Sequence, residues 1–137
     1  MRYQVQEPPC EATQATIKAI LIVEDDPGIG TYLIEAIRQE TPYHPLLVTE
    51  SIWALELVNY ITPDLFLLEH HLPALNGIDL YDHLHATEGL EAIPAIIIST
   101  RLPQEQLDQK INQRQLIALP YPHDLADLLS LIETCMV

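Results

Sequence analysis

The stretch AILIVEDDP, residues 19–27, joins an unbroken apolar run to three successive carboxylates and a proline. A second stretch, DLFLLE at residues 64–69, also ends an apolar run on an acid. Short runs rich in Ile, Leu and Val are typical of parallel strands buried on both faces. Both stretches are therefore predicted to be strands whose acidic ends meet at one edge of a sheet, where α/β proteins place their sites.

Apolar runs alternate with segments of helical spacing along most of the chain. The predicted strands lie at residues 19–23, 46–48, 65–68, 96–98 and 116–119. The predicted helices lie around residues 29–37, 52–58, 78–84, 107–111 and 125–132, the fourth beginning near Pro103. This alternation predicts one doubly wound α/β domain with a five-stranded parallel sheet and five helices.

Capping and turn residues agree with these boundaries. Asp26 is expected to cap the first helix, with Pro27 in its first turn, and Ser51 is expected to cap the second. Asn76-Gly77 predicts a turn into the third helix. Residues 1–16 have no periodicity and are interpreted as a flexible leader before a domain that spans residues 17–137.

Composition excludes several classes of function. The 137 residues carry twenty acids against six Lys and Arg, a formal net charge of −14, which repels nucleic acid and anionic lipid. No apolar run has the roughly 20 residues needed to cross a bilayer, and no secretory signal is recognised. We therefore expect a cytoplasmic protein that binds neither nucleic acid nor membrane.

Four ordered motifs carry a resemblance to a known family. ILIVEDDP, PDLFLLEHHLPALNGIDLYDHL, IPAIIIST and LPYP together resemble the receiver domain of two-component response regulators, from about residue 18 to the C-terminus. The resemblance implies a flavodoxin-like sheet of strand order 2-1-3-4-5. It also implies an acceptor aspartate phosphorylated by a histidine kinase, with Mg²⁺ bound beside it.

The resemblance assigns a family role to seven positions. They are Glu24 and Asp25 for the acidic pair that binds metal, Glu69 for the phosphoacceptor, His71 for a metal-binding backbone carbonyl, Ser99 for the switch hydroxyl, Leu116 for the switch aromatic and Leu119 for the pocket lysine.

Three of these positions depart from the family. The extra methylene of Glu69 moves its carboxylate by more than an ångström, which can cost about a hundredfold in rate. Leu119 removes a cation from the site of transfer, a loss typically worth about 3 kcal/mol. Leu116 removes the aromatic side chain that reports phosphorylation. Arg101, two residues beyond Ser99, is the one basic residue near enough in sequence to substitute for the lysine, although a solvated loop arginine is the more common case.

The sequence therefore predicts an atypical receiver, which is not an enzyme and signals through protein contact. Partners are expected on the face formed by the fourth helix, fifth strand and fifth helix, or on the first helix, and a homodimer is a further option. Two other functions stay open: a working receiver that uses Glu69, and a Mg²⁺-dependent phosphohydrolase on the same fold. The phosphohydrolase lacks a nucleophile and acid two residues apart, because Pro27 follows Asp25-Asp26.

Three smaller questions are also open at this stage. The acidic cluster either binds Mg²⁺ weakly or holds a proton that its carboxyl groups share. Glu69 either mimics a phosphorylated aspartate or belongs to a plain binding surface. The histidines, including His70 and His71, are interpreted as surface residues, because they lack metal-ligand spacing. Trp53 and Tyr60 are expected to pack between the second helix and the sheet.

Overall fold

The computed structural model describes residues 17–99, 105–120 and 123–137. Within these residues the strands are β1 Ala19–Val23, β2 His44–Val48, β3 Leu65–Glu69, β4 Ala95–Ser99 and β5 Ile117–Pro120. The helices are α1 Pro27–Glu40, α2 Ser51–Leu57, α3 Gly77–His85, α4 Glu105–Gln113 and α5 Leu125–Met136. The predicted leader, residues 1–16, and the predicted start of α4 at Pro103 lie outside the described residues.

The strands form one parallel sheet in the order β2-β1-β3-β4-β5, which confirms the predicted fold. Alternate strand residues face opposite layers of helices. Leu21 and Val23 pack under α2, α3 and α4, whereas Ile20 and Ile22 pack under α1 and α5. Because both faces are covered, every residue of β3 and β4 is buried. Among the described residues, no helix is long and apolar enough to cross a bilayer.

Local hydrogen bonds explain where the first three helices begin. Asp26 Oδ1 accepts from the Ile29 amide at 3.0 Å, so the predicted cap of α1 is confirmed. Asn76 caps α3 in the same way through the Asp79 amide at 2.9 Å. The prediction for α2 is wrong: the buried Ser51 hydroxyl donates to the Leu75 carbonyl at 2.6 Å, and the N-cap residue Glu50 makes no side-chain cap.

An exposed ion pair ties α3 to the C-terminal end of α4. Arg114 donates from Nε and Nη2 to the two carboxylate oxygens of Asp82 at 2.8 and 2.9 Å. Arg114 also donates to the Lys110 carbonyl at 3.0 Å. Next to it, Gln115 adopts a φ of 56°, in the left-handed region where glycine is more common. The hydrogen bonds of Arg114 to Asp82 and Lys110 thus hold the short connection between α4 and β5 in place.

Candidate functional site

Two buried carboxyl groups lie side by side at the C-terminal edge of the sheet. Glu24 follows β1 directly, and Glu69 is the last residue of β3, the neighbouring strand. The pairing of Val23 with Leu68 places the two acids at the same level. Each residue is only 2% exposed. Asp25, the next acid along the chain, is exposed.

Both glutamates fold back onto their own chain. Glu24 Oε2 accepts from the Asp26 amide at 3.0 Å, and Glu69 Oε2 accepts from the His71 amide at 2.7 Å. In each case the side chain reaches the backbone two residues further on. An ionised carboxylate makes a strong hydrogen bond with a backbone N–H, so this contact holds one oxygen of each acid close to the strand end.

Burial and like charges act together on Glu24. Burial and, to a smaller extent, the negative charges of Glu69, Asp25 and Asp26 together raise the pKa of Glu24 to about 7, against the opposing hydrogen bond from the Asp26 amide. The second oxygen, Oε1, is buried without a hydrogen-bond partner in the structure. Near neutral pH the carboxyl group therefore exists in both its protonated and its ionised form.

This raised pKa predicts how stability depends on pH. Glu24 keeps its proton up to about pH 7 in the folded protein but releases it near 4.5 when unfolded. Between these two pH values the folded state binds more protons than the unfolded state. The contribution of Glu24 to the free energy of unfolding is therefore complete below pH 4.5 and is lost as the pH rises to about 7. In this range the free energy of unfolding should fall by on the order of 1 kcal/mol per pH unit because of Glu24, and we expect Glu24→Gln to remove this decrease.

The measurement is the free energy of unfolding from urea titrations between about pH 4.5 and 7.5. Glu35→Gln, which removes an exposed carboxylate from α1, is the matched control and should keep the slope of the unaltered protein. Stability curves of Glu24→Gln and the unaltered protein that ran parallel across this range would contradict the prediction.

The other matched positions lie at or below the same edge. Ser99 is buried and ends β4, one residue beyond Ile98, which pairs with Glu69. Leu119 pairs with Ile98 from the other side and is buried in the apolar cluster beneath α1 and α5. Leu116 precedes β5 and packs, half-buried, against the opposite cluster. Arg101 lies outside the described residues.

One buried site residue was misjudged from the sequence. His70 was expected at the surface, yet it is buried, and burial, followed by the neighbouring His71 and Lys110, lowers its pKa against the opposing charge of Asp79. Its backbone explains the position, since its N–H donates to the Ile98 carbonyl at 2.8 Å. His83 and His85 are exposed, as predicted.

A glycine missed as a site residue fixes the loop behind the acids. Gly77 donates its N–H to the His70 carbonyl at 2.9 Å. A Cβ at this position would lie 2.6 Å from the Glu69 carbonyl oxygen and 2.8 Å from the His70 Cα. Asn76-Gly77 was predicted as a turn, but the glycine serves a close approach between α3 and β3 that a sequence pattern does not reveal.

The side chains fit a divalent cation only in part. Carboxylate oxygens are the ligands that Mg²⁺ prefers, and the unpartnered Glu24 Oε1 is one such donor. However, one carboxylate oxygen of each glutamate accepts a hydrogen bond from a backbone amide, and Asp25 is exposed. Within the described residues no group of three or more His, Cys, Asp or Glu side chains is arranged to hold a metal ion.

Comparison with known proteins identifies relatives over most of the chain. Residues 20–133 match the response regulator receiver domain family. The transcriptional regulatory protein BaeR of Escherichia coli is 31% identical over 106 residues, which are 74% of this chain and 42% of BaeR. The DNA-binding response regulator MtrA of Mycolicibacterium smegmatis is 33% identical over 82 residues, 60% of this chain and 34% of MtrA. The chain thus spans well under half the length of these relatives.

Solved structures share the fold. A CheY-like receiver domain protein from Methanospirillum hungatei superposes with a TM-score of 0.80 at 20% identity, covering 88% of this chain and 94% of that one. The receiver domain of the sensor histidine kinase PA1611 from Pseudomonas aeruginosa gives a TM-score of 0.78 at 24% identity, covering 88% and 98%. That structure is described with a magnesium ion coordinated in its active site cleft.

Proposed function

Because this chain belongs to the response regulator receiver domain family, a family of two-component signalling, we propose that it is an atypical receiver impaired in phosphoryl transfer. It transmits its signal through contact with another protein and catalyses no reaction of its own. The observation that carries this proposal is the acidic pair Glu24 and Glu69, with Leu119 in place of the family's lysine.

The charge around the acceptor position opposes phosphorylation. Among the described residues, the charged side chains that shift the pKa of Glu24 are the acids Glu69, Asp25 and Asp26. A phosphoryl group placed here adds further negative charge to a buried site, where attraction and repulsion are stronger than in water. A preorganised cation is what normally stabilises such a group, and Leu119 supplies an apolar side chain instead.

The geometry of the acceptor acts in the same direction. Glu69 is one methylene longer than aspartate, and one of its oxygens is held by the His71 amide. In-line transfer needs the attacking oxygen within about 3 to 3.5 Å of phosphorus and correctly aligned. A carboxylate that bends back toward its own chain must leave this hydrogen bond before it can attack.

A small phosphodonor tests the proposal directly. We expect no persistent adduct of about 80 Da on the intact protein after incubation with acetyl phosphate and MgCl₂, measured by mass spectrometry. A receiver domain with the usual aspartate and lysine, treated in parallel, controls for donor quality. A stoichiometric adduct on this chain would overturn the proposal and favour the working receiver.

Magnesium binding is part of the proposal and is weak. Glu24, Asp25 and Glu69, with the backbone carbonyl of His71, would hold the ion, which supplies charge neutralisation beside a phosphoryl group. To reach it, both glutamates give up hydrogen bonds to backbone amides, which costs binding energy. We expect calorimetric titration with MgCl₂ to give a dissociation constant in the millimolar range, and a micromolar value would contradict this.

One observation favours the working receiver as a second candidate. Ser99, the matched switch hydroxyl, is buried at the end of β4 beside the strand that carries Glu69. Part of the family's constellation is therefore kept at this edge. Contact surfaces remain those inferred from the sequence: the face of α4, β5 and α5, or α1, with a second copy or a histidine kinase as partners.

A further inference from the structure

Exposed apolar side chains lie on α2 and in the turn that follows it. Ile52, Trp53 and Tyr60 are 64%, 56% and 77% exposed, and Trp53 and Tyr60 line the same groove. The expectation that Trp53 and Tyr60 pack against the sheet is therefore wrong. The reason is the shortness of α2, which spans Ser51–Leu57 and buries only Ser51 and Ala54. Large exposed apolar side chains that lie together commonly mark a binding surface.

The rings of Trp53 and Tyr60 border a groove of about 420 Å³. Leu47, Val48 and Leu57 add apolar lining, and Thr49 and Glu56 are its polar members. We call the surface formed by these residues the α2 groove. It runs between the helix and β2, the strand at the edge of the sheet. Aromatic side chains beside an apolar floor are the usual anchors of protein contact.

The edge strand argues against an added β-strand as the occupant. His44 donates its N–H to the Lys18 carbonyl, and the Val48 carbonyl accepts from the Glu24 amide, so these groups point toward β1. The backbone N–H and C=O groups of alternate strand residues point to opposite sides, so the backbone groups of Pro45 and Leu47 face the open edge. Pro45 has no N–H to offer there. Within β2 only Leu47 then offers an N–H on the open edge, which favours an occupant that binds through side chains.

The charge around the groove selects the chemistry of that occupant. Glu56 lies in the groove wall and Glu50 precedes α2, and both are exposed. The sequence contains no Lys or Arg between Arg38 and Arg101, so the groove of a second copy would bring the same acids against Glu50 and Glu56. A cationic partner is attracted by the same field and arrives faster.

We propose that the α2 groove binds an amphipathic helix of a partner protein, with apolar residues on one face and Lys or Arg beside them. The helix lays its apolar stripe against Trp53 and Tyr60, while its cations face Glu56. This mode uses side-chain contacts alone and matches an apolar groove with an acidic border. This inference rests on the proposed function, which requires a protein partner. It adds the kind of partner and the surface that the partner binds.

Trp53 is the only tryptophan of the chain, so its fluorescence reports on the groove. The probe is a synthetic peptide of leucine and lysine whose leucines repeat at helical spacing. A permuted peptide of the same composition without a leucine face is the control. We expect a saturable blue shift of the Trp53 emission with the amphipathic peptide, weakened by added NaCl, and a much weaker response to the permuted one.

Two variants locate the binding. Tyr60→Ala should lower the affinity for the amphipathic peptide by roughly tenfold, because truncating an aromatic anchor has effects of this size. Tyr32→Ala, which removes a partly exposed ring from α1, should leave the affinity unchanged. Both positions are solvent-accessible, and circular dichroism checks that the variants fold. Equal responses to the two peptides, or equal affinities of the two variants, would overturn the inference.

The free protein provides the remaining outcomes. We expect the emission of a partly exposed indole, unchanged by concentration and by removal of residues 1–16. A blue shift that disappears on dilution would identify a second copy as the occupant, and one that disappears when residues 1–16 are removed would identify that segment of the same chain. Either result overturns the inference. The phosphodonor experiment is separate, since an adduct on the intact protein would refute the proposed function without changing the peptide result.

Discussion

The double variant Glu69→Asp/Leu119→Lys is expected to accept a phosphoryl group from acetyl phosphate at least about a hundredfold faster than the unaltered protein. Aspartate withdraws the carboxylate by the length of one methylene, toward the position that the family uses. Lysine places an ammonium group at the same sheet edge, where the charged neighbours of Glu24 in the described part of the chain are acids. Ser99 is already in place at the end of β4.

The two changes are expected to reinforce one another. Glu69→Asp alone corrects the position of the nucleophile but leaves the transferred charge without a cation. Leu119→Lys alone supplies the cation but leaves the attacking oxygen misplaced. Because both losses fall on one step, the effects need not add, and we expect each single variant to gain less than about a tenth of the rate of the pair.

Leu119 tolerates this change for a physical reason. It is buried in the cluster beneath α1 and α5, and the aliphatic stem of lysine covers a similar apolar path before its ammonium reaches polar surroundings. The rates are measured by intact mass over time in MgCl₂, with circular dichroism as a check on folding. A folded double variant that gained no adduct would show that Glu69 and Leu119 do not explain the loss of transfer.

The fold was predictable because a parallel sheet buries both of its faces. Runs such as residues 19–23 stand out from their surroundings when every side chain is apolar, and β1 has these bounds. Glu69 was predicted as the end of its strand, whereas the predicted apolar runs left out Ser99, which ends β4, and His44 and Pro45, which begin β2. Pro45 is accepted in β2 because its nitrogen lies on the open edge.

The helix α2 marks the limit of periodicity. Ile52 and Val58 share helical spacing with Leu55, which predicted a buried face, yet Ile52 is largely exposed. A helix of two turns has few contacts to set its rotation, and the small side chain of Ala54 is fully buried in the core while Leu55 and Leu57 pack against it only in part. Spacing identifies a helix here but does not decide which of its faces is buried.

The meeting of the two acids was predictable, but their conformation was not. Acidic strand ends are visible in the sequence, so Glu24 and Glu69 are expected at one sheet edge, where the pairing of β1 with β3 places them. Their hydrogen bonds to Asp26 and His71 depend on loop geometry, as does the burial of His70. The raised pKa of Glu24 follows from that burial and could not be assigned from composition.

Gly77→Ala is expected to destabilise the protein by about 3 kcal/mol, at the upper end of the usual cost of overpacking. A Cβ at this position would lie 2.6 Å from the Glu69 carbonyl oxygen and 2.8 Å from the His70 Cα. Both are backbone atoms of a buried strand end, so no side-chain rotation relieves the contact. Either α3 or the end of β3 must move, and the hydrogen bond from Gly77 to His70 lengthens.

Urea denaturation measures the effect, and Gly28→Ala is the matched control. At Gly28, in the first turn of α1, the nearest atom to an added Cβ is the exposed Asp26 Oδ1 at 3.3 Å, which can shift. Alanine is also the better helix former by about 1 kcal/mol, so this variant should keep or slightly raise the stability. If the two substitutions changed stability equally, close packing of α3 against Glu69 would not be what requires glycine at residue 77. The loss would then reflect the general difference between glycine and alanine, and the acidic site would not depend on this contact.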